Sequence, residues 1–278
     1  MENHLDKITV LDELCEKHGI PLWQFPYMSQ GQEHISKMCQ ACTQEQIAMT
    51  EQETLEEARN RQTYVTTYDI LMRDSTVPEE LRGATFENFK AETAEEKQLL
   101  EFARGQAEKY LAGLKANTLI TGSTGIGKSH LSIAMAKAIN EGYRAKGEPK
   151  SVLFVNLTEL VKKIKEGWNY GQGAKLTEFE AVELLKSVDY LILDDLGAKN
   201  AIIKPKSDWE QDLLFDILNS RENTIINTNL SGSELKTVYN ERNYSRILKG
   251  LEGNSFKAFT IKDKRYSINR LKQGEQTK

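Results

Sequence analysis

Residues 122–129 read Gly-Ser-Thr-Gly-Ile-Gly-Lys-Ser, a complete G-x4-G-K-[ST] phosphate loop. The motif works in one local setting: a strand, a glycine-rich turn, then a helix whose first N–H groups face phosphates. The flanks supply that setting. Asn117–Thr121 is a short run expected as a strand, and Leu131–Asn140, rich in Leu, Ile, Ala and Met, is expected as the helix. A glycine-rich turn arising by chance would lack this ordered context. Glycines let backbone N–H groups turn toward phosphate oxygens at a helix end that carries partial positive charge. Lys128 is expected to reach the β- and γ-phosphates, and the Ser129 hydroxyl to ligate Mg²⁺. The expected ATP-binding residues are Gly122, Ser123, Thr124, Gly125, Ile126, Gly127, Lys128 and Ser129, with His130 beside them on the first helical turn. The role of His130 there reads as packing rather than catalysis.

A second feature follows 60 residues on. Asp189-Tyr190-Leu191-Ile192-Leu193-Asp194-Asp195 is an apolar strand running into two carboxylates. Asp194 is expected to hold Mg²⁺ through water, and Asp195 to orient or deprotonate the attacking water. Ser151–Asn156 and Thr224–Asn229 read as two further strands. Strands alternating with helices imply a parallel sheet with right-handed crossovers. Ligands then bind at the carboxyl ends of the strands. Asn229, at the tip of the fourth strand, is the first candidate to sense the γ-phosphate, and Asn227 the second.

The three cysteines all fall within residues 15–42. Cys15 and His18 form a C-x2-H pair, and Cys39 and Cys42 a C-x2-C pair. Two such pairs supply four ligands for a tetrahedral, structural zinc site. The bland alternative is three thiols and a surface histidine; His34 is a spare ligand candidate. Pro21, Pro26 and Gly31 between the pairs disfavour one continuous helix and suit a folded-back loop. The segment is acidic and poor in large aliphatic residues, so a metal would supply stability that its core lacks.

Charge divides the chain. Residues 1–82 hold seven Lys/Arg against fifteen Asp/Glu, and residues 236–272 hold ten basic against three acidic side chains. An acidic front and a basic tail suggest modules with different partners. The chain shows no signal peptide and no apolar run long enough for a membrane span, so a cytoplasmic protein is expected. Thr43-Gln44-Glu45-Gln46 reads as a T-x-x-Q capping box opening a largely exposed helix that runs to about Met72. The expected organisation is a zinc-binding module at 1–43, a helical linker at 44–83 and an ATPase domain at 84–278.

Together these residues resemble the bacterial replicative helicase loaders of the DnaC/DnaI type, a branch of the AAA+ ATPases, and the related IstB transposition ATPases. The resemblance runs from about Ala84 to Arg270. It includes the lead-in Ala84-Thr85-Phe86-Glu87-Asn88-Phe89, Gly127–Leu131, Leu191–Gly197 and Thr228-Asn229-Leu230. It implies an AAA+ P-loop α/β fold and self-association through the ATP sites. It also implies an arginine finger from a neighbouring subunit, which Tyr244–Leu248 places at Arg246, with Arg242 one turn earlier as substitute. A guanidinium suits that task because it is planar, always charged and grips two phosphate oxygens. The resemblance breaks at Ile261–Ser267, where Arg265 precedes the tyrosine instead of following it, and leaves a second sensor role for Arg265 in doubt. A zinc module in front of the core resembles the DnaI side of the family, which implies binding to a hexameric replicative helicase.

Leu157–Tyr170 is the expected single-stranded DNA element. Apolar positions 157, 160, 161 and 164 mark a buried helix face, Lys162, Lys163 and Lys165 lie off it, and Trp168 and Tyr170 are expected in a following loop. An ordinary solvated lysine face is the alternative. The leading expectation is an ATP-dependent helicase loader using ATP, Mg²⁺ and Zn²⁺. The alternatives are an IstB-like ATPase assisting a transposase on duplex DNA, and a hydrolysis-poor partner-binding P-loop protein.

Overall fold

A computed structural model describes residues 8–29, 32–170, 177–197, 203–261 and 263–264. The chain divides into two compact units, Met1–Gln62 and Thr63–Lys278.

The first unit opens with three strands, β1 (Thr9–Leu14), β2 (Pro21–Ser29) and β3 (Gln32–Met38), paired antiparallel in the order β1-β2-β3. Trp23 lies opposite Val10 on one side and Met38 on the other. The expected loop between the two ligand pairs is therefore mostly a hairpin. The prolines are compatible with it because Pro21 is the first residue of β2, and Pro26 lies past Gln24, where pairing with β1 ends. Helix α1 (Gln40–Thr66) then begins directly after Cys39. The expected capping box is not the helix start: Thr43 is already inside the first turn, its N–H and its hydroxyl both donating to the Cys39 carbonyl at 3.0 Å. Among the described residues of this unit, Cys39 is the only buried apolar one. Its described residues form no buried aliphatic core to hold it together.

The second unit begins within the expected linker. A short helix, α2 (Ile70–Arg73), follows α1 after a break, and Tyr68, Ile70 and Leu71 are buried in the core of this unit. Ser75 Oγ accepts from the Phe154 N–H at 2.9 Å and Thr76 Oγ1 from the Asn156 N–H at 2.7 Å. These bonds cover the exposed edge of the sheet described next.

In chain order the unit continues with α3 (Ala94–Leu111), β4 (Thr118–Gly122), α4 (Lys128–Lys146), β5 (Val152–Asn156), α5 (Leu157–Tyr170) and α6 (Glu178–Ser187). Then follow β6 (Tyr190–Asp194), α7 (Asp208–Asn219), β7 (Ile225–Thr228), α8 (Gly232–Val238), α9 (Glu241–Ile247) and β8 (Ser255–Ala258). The five strands form one parallel sheet in the order β5-β6-β7-β4-β8. Consecutive strand residues serve opposite faces. Ile120, Phe154, Ile192 and Ile225 join α3 and α4 in one core. Leu119, Leu153, Leu193 and Ile226 join α5 to α9 in the other. Strands buried on both faces read as continuous apolar runs, which is why β4 to β7 are legible in the sequence. β8 is not, since its four residues include Ser255 and Lys257. Trp168 and Tyr170, expected in a loop, lie on the last turn of α5; their side chains are outside the described residues.

Candidate functional site

The first unit brings Cys15, His18, Cys39 and Cys42 together, with their ligand atoms all within 4.8 Å of one another. Cys15 Sγ lies 3.7 Å from Cys42 Sγ, and His18 Nδ1 lies 3.3 to 3.8 Å from the three sulfurs. Zinc–sulfur arms of about 2.3 Å place tetrahedral ligands about 3.8 Å apart, so the set fits zinc. Two backbone features create it. A turn closed by Gly19 N–H to Cys15 O at 2.8 Å, with Gly19 in the left-handed region, presents Cys15 and His18. The start of α1 presents Cys39 and Cys42. The thiols resist ionising together: His18 draws Cys15 down to about 6, while Cys15 pushes Cys42 up to about 11. A cation resolves that conflict. Glu45, absent from the expected ligands, bonds the far ring nitrogen of His18 at 3.1 Å and pairs with Lys17. It thereby holds Nδ1 toward the sulfurs, as outer carboxylates do for metal-bound histidines.

The second unit builds the phosphate loop between β4 and α4. Gly125 and Gly127 have φ of 78° and 96°, and Gly127 caps α4. Each is also crowded. A Cβ on Gly127 would lie 2.5 Å from the Phe89 ring, and one on Gly125 would lie 1.7 Å from the Asp263 carboxylate. Lys128 Nζ donates to Gly122 O at 2.9 Å, to Ser123 O at 2.8 Å and to Asn229 Oδ1. Ser129 Oγ donates to Asp194 Oδ2 at 2.8 Å. This hydroxyl and carboxylate are hard oxygen donors side by side, a fit for Mg²⁺. Burial raises the pKa of Asp194, against the hydrogen bonds from Asn227 and Ser129 and the nearby Lys128 charge.

The two asparagines of the fourth strand separate. Asn227 is fully buried, donates to Asp194 Oδ1 at 2.7 Å and accepts from Ser132 Oγ at 3.0 Å. Asn229 stands at the strand tip, accepting from Lys128 and donating to Asp195 Oδ1 at 3.4 Å. Asp195 has φ of 62°, the only positive value at a non-glycine among the described residues. That conformation costs about 1–3 kcal/mol for a side-chain-bearing residue. It is enforced across β7: Leu196 N–H donates to Asn227 O at 2.9 Å, and Thr228 Oγ1 to Leu196 O at 2.6 Å.

His130 turns away from the loop, Nε2 bonding Thr85 O at 2.9 Å and the ring meeting Phe89 edge-on. The lead-in segment is thus pinned to α4. A contact the sequence did not signal comes from the C-terminal side. Lys264 N–H donates to Gly125 O at 3.0 Å, and its ammonium lies over the Phe89 ring and 3.1 Å from Glu96. Arg265 lies outside the described residues. Arg242 and Arg246 sit on α9 over the Phe215 ring, at 4.0 and 6.0 Å. A groove of about 1070 Å³ runs from Asp195 and Asn229 past Lys162 and Lys165 to Lys204 and Lys206. Lys162 pairs with Glu166 at 3.7 Å, and Lys165 with Glu210 at 4.0 Å.

A phosphate loop on β4, an acidic pair ending β6 and a polar tip on β7 of a 5-6-7-4-8 parallel sheet define an AAA+ P-loop nucleotide-binding protein. The IstB-like ATP binding protein family matches residues 28–253. The chain belongs to that family. Among curated proteins none matches it at a significant level. Solved structures similar in fold include the DnaC helicase loader, 22% identical with a TM-score of 0.49, covering 65% of this chain and 99% of that one. DnaI is 22% identical with a TM-score of 0.49, covering 67% and 96%. AMPPCP-bound DnaA from Aquifex aeolicus is 24% identical with a TM-score of 0.48, covering 70% of this chain and 56% of that one. No helix among the described residues is long and apolar enough to cross a membrane.

Proposed function

We propose that the chain is an ATP-dependent loader. Its front module, residues 1–43, binds a hexameric replicative helicase, residues 44–83 link the parts, and the ATPase core from 84 onward places the helicase on single-stranded DNA. The observation that carries this reading is the Cys15–His18–Cys39–Cys42 cluster in the same chain as a complete phosphate loop. A zinc module ahead of the core is the feature by which the sequence resembles the DnaI branch.

The residues divide the chemistry among them. The loop N–H groups of Gly125 to Ser129 and the Lys128 ammonium would hold the phosphates. Mg²⁺, held by Ser129 and Asp194, would supply charge neutralisation at the transferred phosphoryl group. Asp195, held in its strained turn, would orient a water and accept its proton. Asn229 bonds both Lys128 and Asp195, so it is suited to report on what lies between them. Arg246 of a neighbouring copy would complete the site through self-association. Lys162 and Lys165, lining the groove together with Lys204 and Lys206, offer cations for a DNA backbone, while Lys163 is exposed but does not line the groove.

Size-exclusion chromatography with light scattering, on this protein mixed with the replicative helicase, ATP and Mg²⁺, tests the reading. A co-complex that needs residues 1–82 is the expected result. The second reading is an IstB-like ATPase acting with a transposase on duplex DNA, favoured by the name of the matching family. No helicase complex, together with a preference for duplex over single strands, would select it. A P-loop protein without turnover would show nucleotide binding but no phosphate release.

A further inference from the structure

The phosphate-loop motif leaves position 125 open, yet this chain has a glycine there. Two observations account for it. Gly125 has φ of 78°, and the space its side chain would fill is taken. A Cβ there would lie 1.7 Å from Asp263 Oδ1, 2.1 Å from its Cγ and 2.6 Å from Oδ2. The Asp263 carboxylate therefore rests on the loop backbone, in the stretch whose N–H groups face phosphates. The chain after β8 brings it there. Ala258 O accepts from the Ser123 N–H at 3.3 Å, and the Thr260 hydroxyl donates to Glu95. Ile261 is buried in the core that joins α3 and α4. The Lys264 N–H then donates to Gly125 O at 3.0 Å. The Lys264 ammonium turns to the lead-in segment and α3. It donates to Lys90 O, lies 3.1 Å from Glu96 and sits 4.1 Å from the centre of the Phe89 ring. The backbone on either side of Asp263 is thus strapped along the loop by contacts that do not involve its carboxylate.

We propose that Asp263 belongs to the nucleotide site and weakens its hold on phosphate. The loop N–H groups, the start of α4 and the Lys128 ammonium make this end of the sheet electropositive. A carboxylate lodged against Gly125 complements that field. A nucleotide diphosphate or triphosphate brings its own negative charge to the same N–H groups, beside the carboxylate. Repulsion between two such charges near a protein surface is worth about 10-fold in affinity. Ile261 and Lys264 fix the backbone before and after Asp263, so the charge stays beside the loop. The nucleotide is therefore held less tightly and released sooner than the loop alone would allow. The inference rests on nucleotide binding at the phosphate loop and adds to it the side chain that sets how tightly the nucleotide is held.

The test uses the full-length chain and a fluorescent ADP analogue, with affinity from titration and release from a chase with unlabelled ADP. Asp263→Asn keeps the shape of the side chain and removes its charge. It is expected to tighten binding and slow release about 10-fold. The gap from wild type should shrink between about 0.1 M and about 1 M salt, as the screening length falls from about 10 Å to about 3 Å. A change in packing alone would not respond to salt in this way. Thermal melts confine the comparison to folded chains, with Asp263→Ser in reserve if Asp263→Asn melts early. Equal affinity in the two chains, or a gap indifferent to salt, would overturn the proposal. Weaker binding by Asp263→Asn in the presence of Mg²⁺ would overturn it too, because the carboxylate would then be helping to hold the metal or the nucleotide. Lys128→Ala keeps the underlying reading separate, since it should abolish binding whatever Asp263 does. Binding lost in Lys128→Ala but unchanged in Asp263→Asn would leave the phosphate loop standing and remove only the role of Asp263. Binding that survives Lys128→Ala unchanged would remove the phosphate-loop site and this inference with it.

Discussion

Asn227 donates its side-chain amide to Asp194 at 2.7 Å from a position with no solvent exposure. The pair explains how a carboxylate buried beneath the phosphate loop is kept in place. It also separates Asn227 from Asn229 two residues on, whose side chain is half-buried and faces Lys128 and Asp195.

The two asparagines should therefore fail differently. Asn227→Leu leaves Asp194 and Ser132 short of a buried partner, costing about 1–3 kcal/mol in denaturant unfolding and weakening Mg-ATP binding. Asn229→Ala keeps stability within about 0.5 kcal/mol and lowers turnover. Equal stability losses in both variants would contradict the assignment.

Zinc content follows the four-ligand cluster. Purified protein is expected to carry one zinc by elemental analysis, and Cys39→Ser and Cys42→Ser to carry none. Glu45→Gln should keep the ligands but weaken zinc by about 10- to 100-fold in a chelator competition. An unchanged affinity would show that Glu45 does not orient His18.

The turn at Asp195 trades stability for chemistry. Asp195→Gly removes the side chain and relieves the left-handed strain, so melting temperature should hold or rise while ATP turnover disappears. Asp195→Ala should lose turnover and stability together, because its Cβ keeps the strain and no carboxylate remains to bond Asn229. Turnover surviving in either variant would remove Asp195 from the chemistry.

Asp189, just before β6, titrates in a way stability can read. Burial opposes its charge, but the Ser151 N–H and hydroxyl and the Lys150 ammonium, each at 2.9 Å, hold its pKa below the ordinary 3.8. A depressed carboxylate stabilises the fold above its unfolded pKa and loses that contribution as pH falls through the folded value. The stability gap between wild type and Asp189→Asn should thus be full at pH 6 and shrink toward pH 3 in urea titrations. A gap that widens on acidification would mean the sign is wrong.

Legibility tracked the range of the interactions. The phosphate loop, the acidic end of β6 and the four buried strands were readable because each rests on residues within a few positions. Local glycine conformations, apolar runs and ligand spacing are written in the chain. The front hairpin was not readable, since Pro21 and Pro26 argue against strands until the pairing partners are known. Nor was the start of α1, where the helix begins right after Cys39 and overrides the capping signal at Thr43.

By itself, then, the sequence determined a phosphate loop in its strand–helix setting, a candidate Cys3His ligand set and a parallel α/β core. Tertiary structure decided the 5-6-7-4-8 strand order, the division of labour between Asn227 and Asn229, and the support of His18 by Glu45. It also placed Lys264 on the phosphate loop and Phe215 beneath the α9 arginines. The physical reason is that these relationships join residues far apart in the chain. They are set by which buried faces and unpaired polar groups meet when the sheet closes, and no local pattern encodes that.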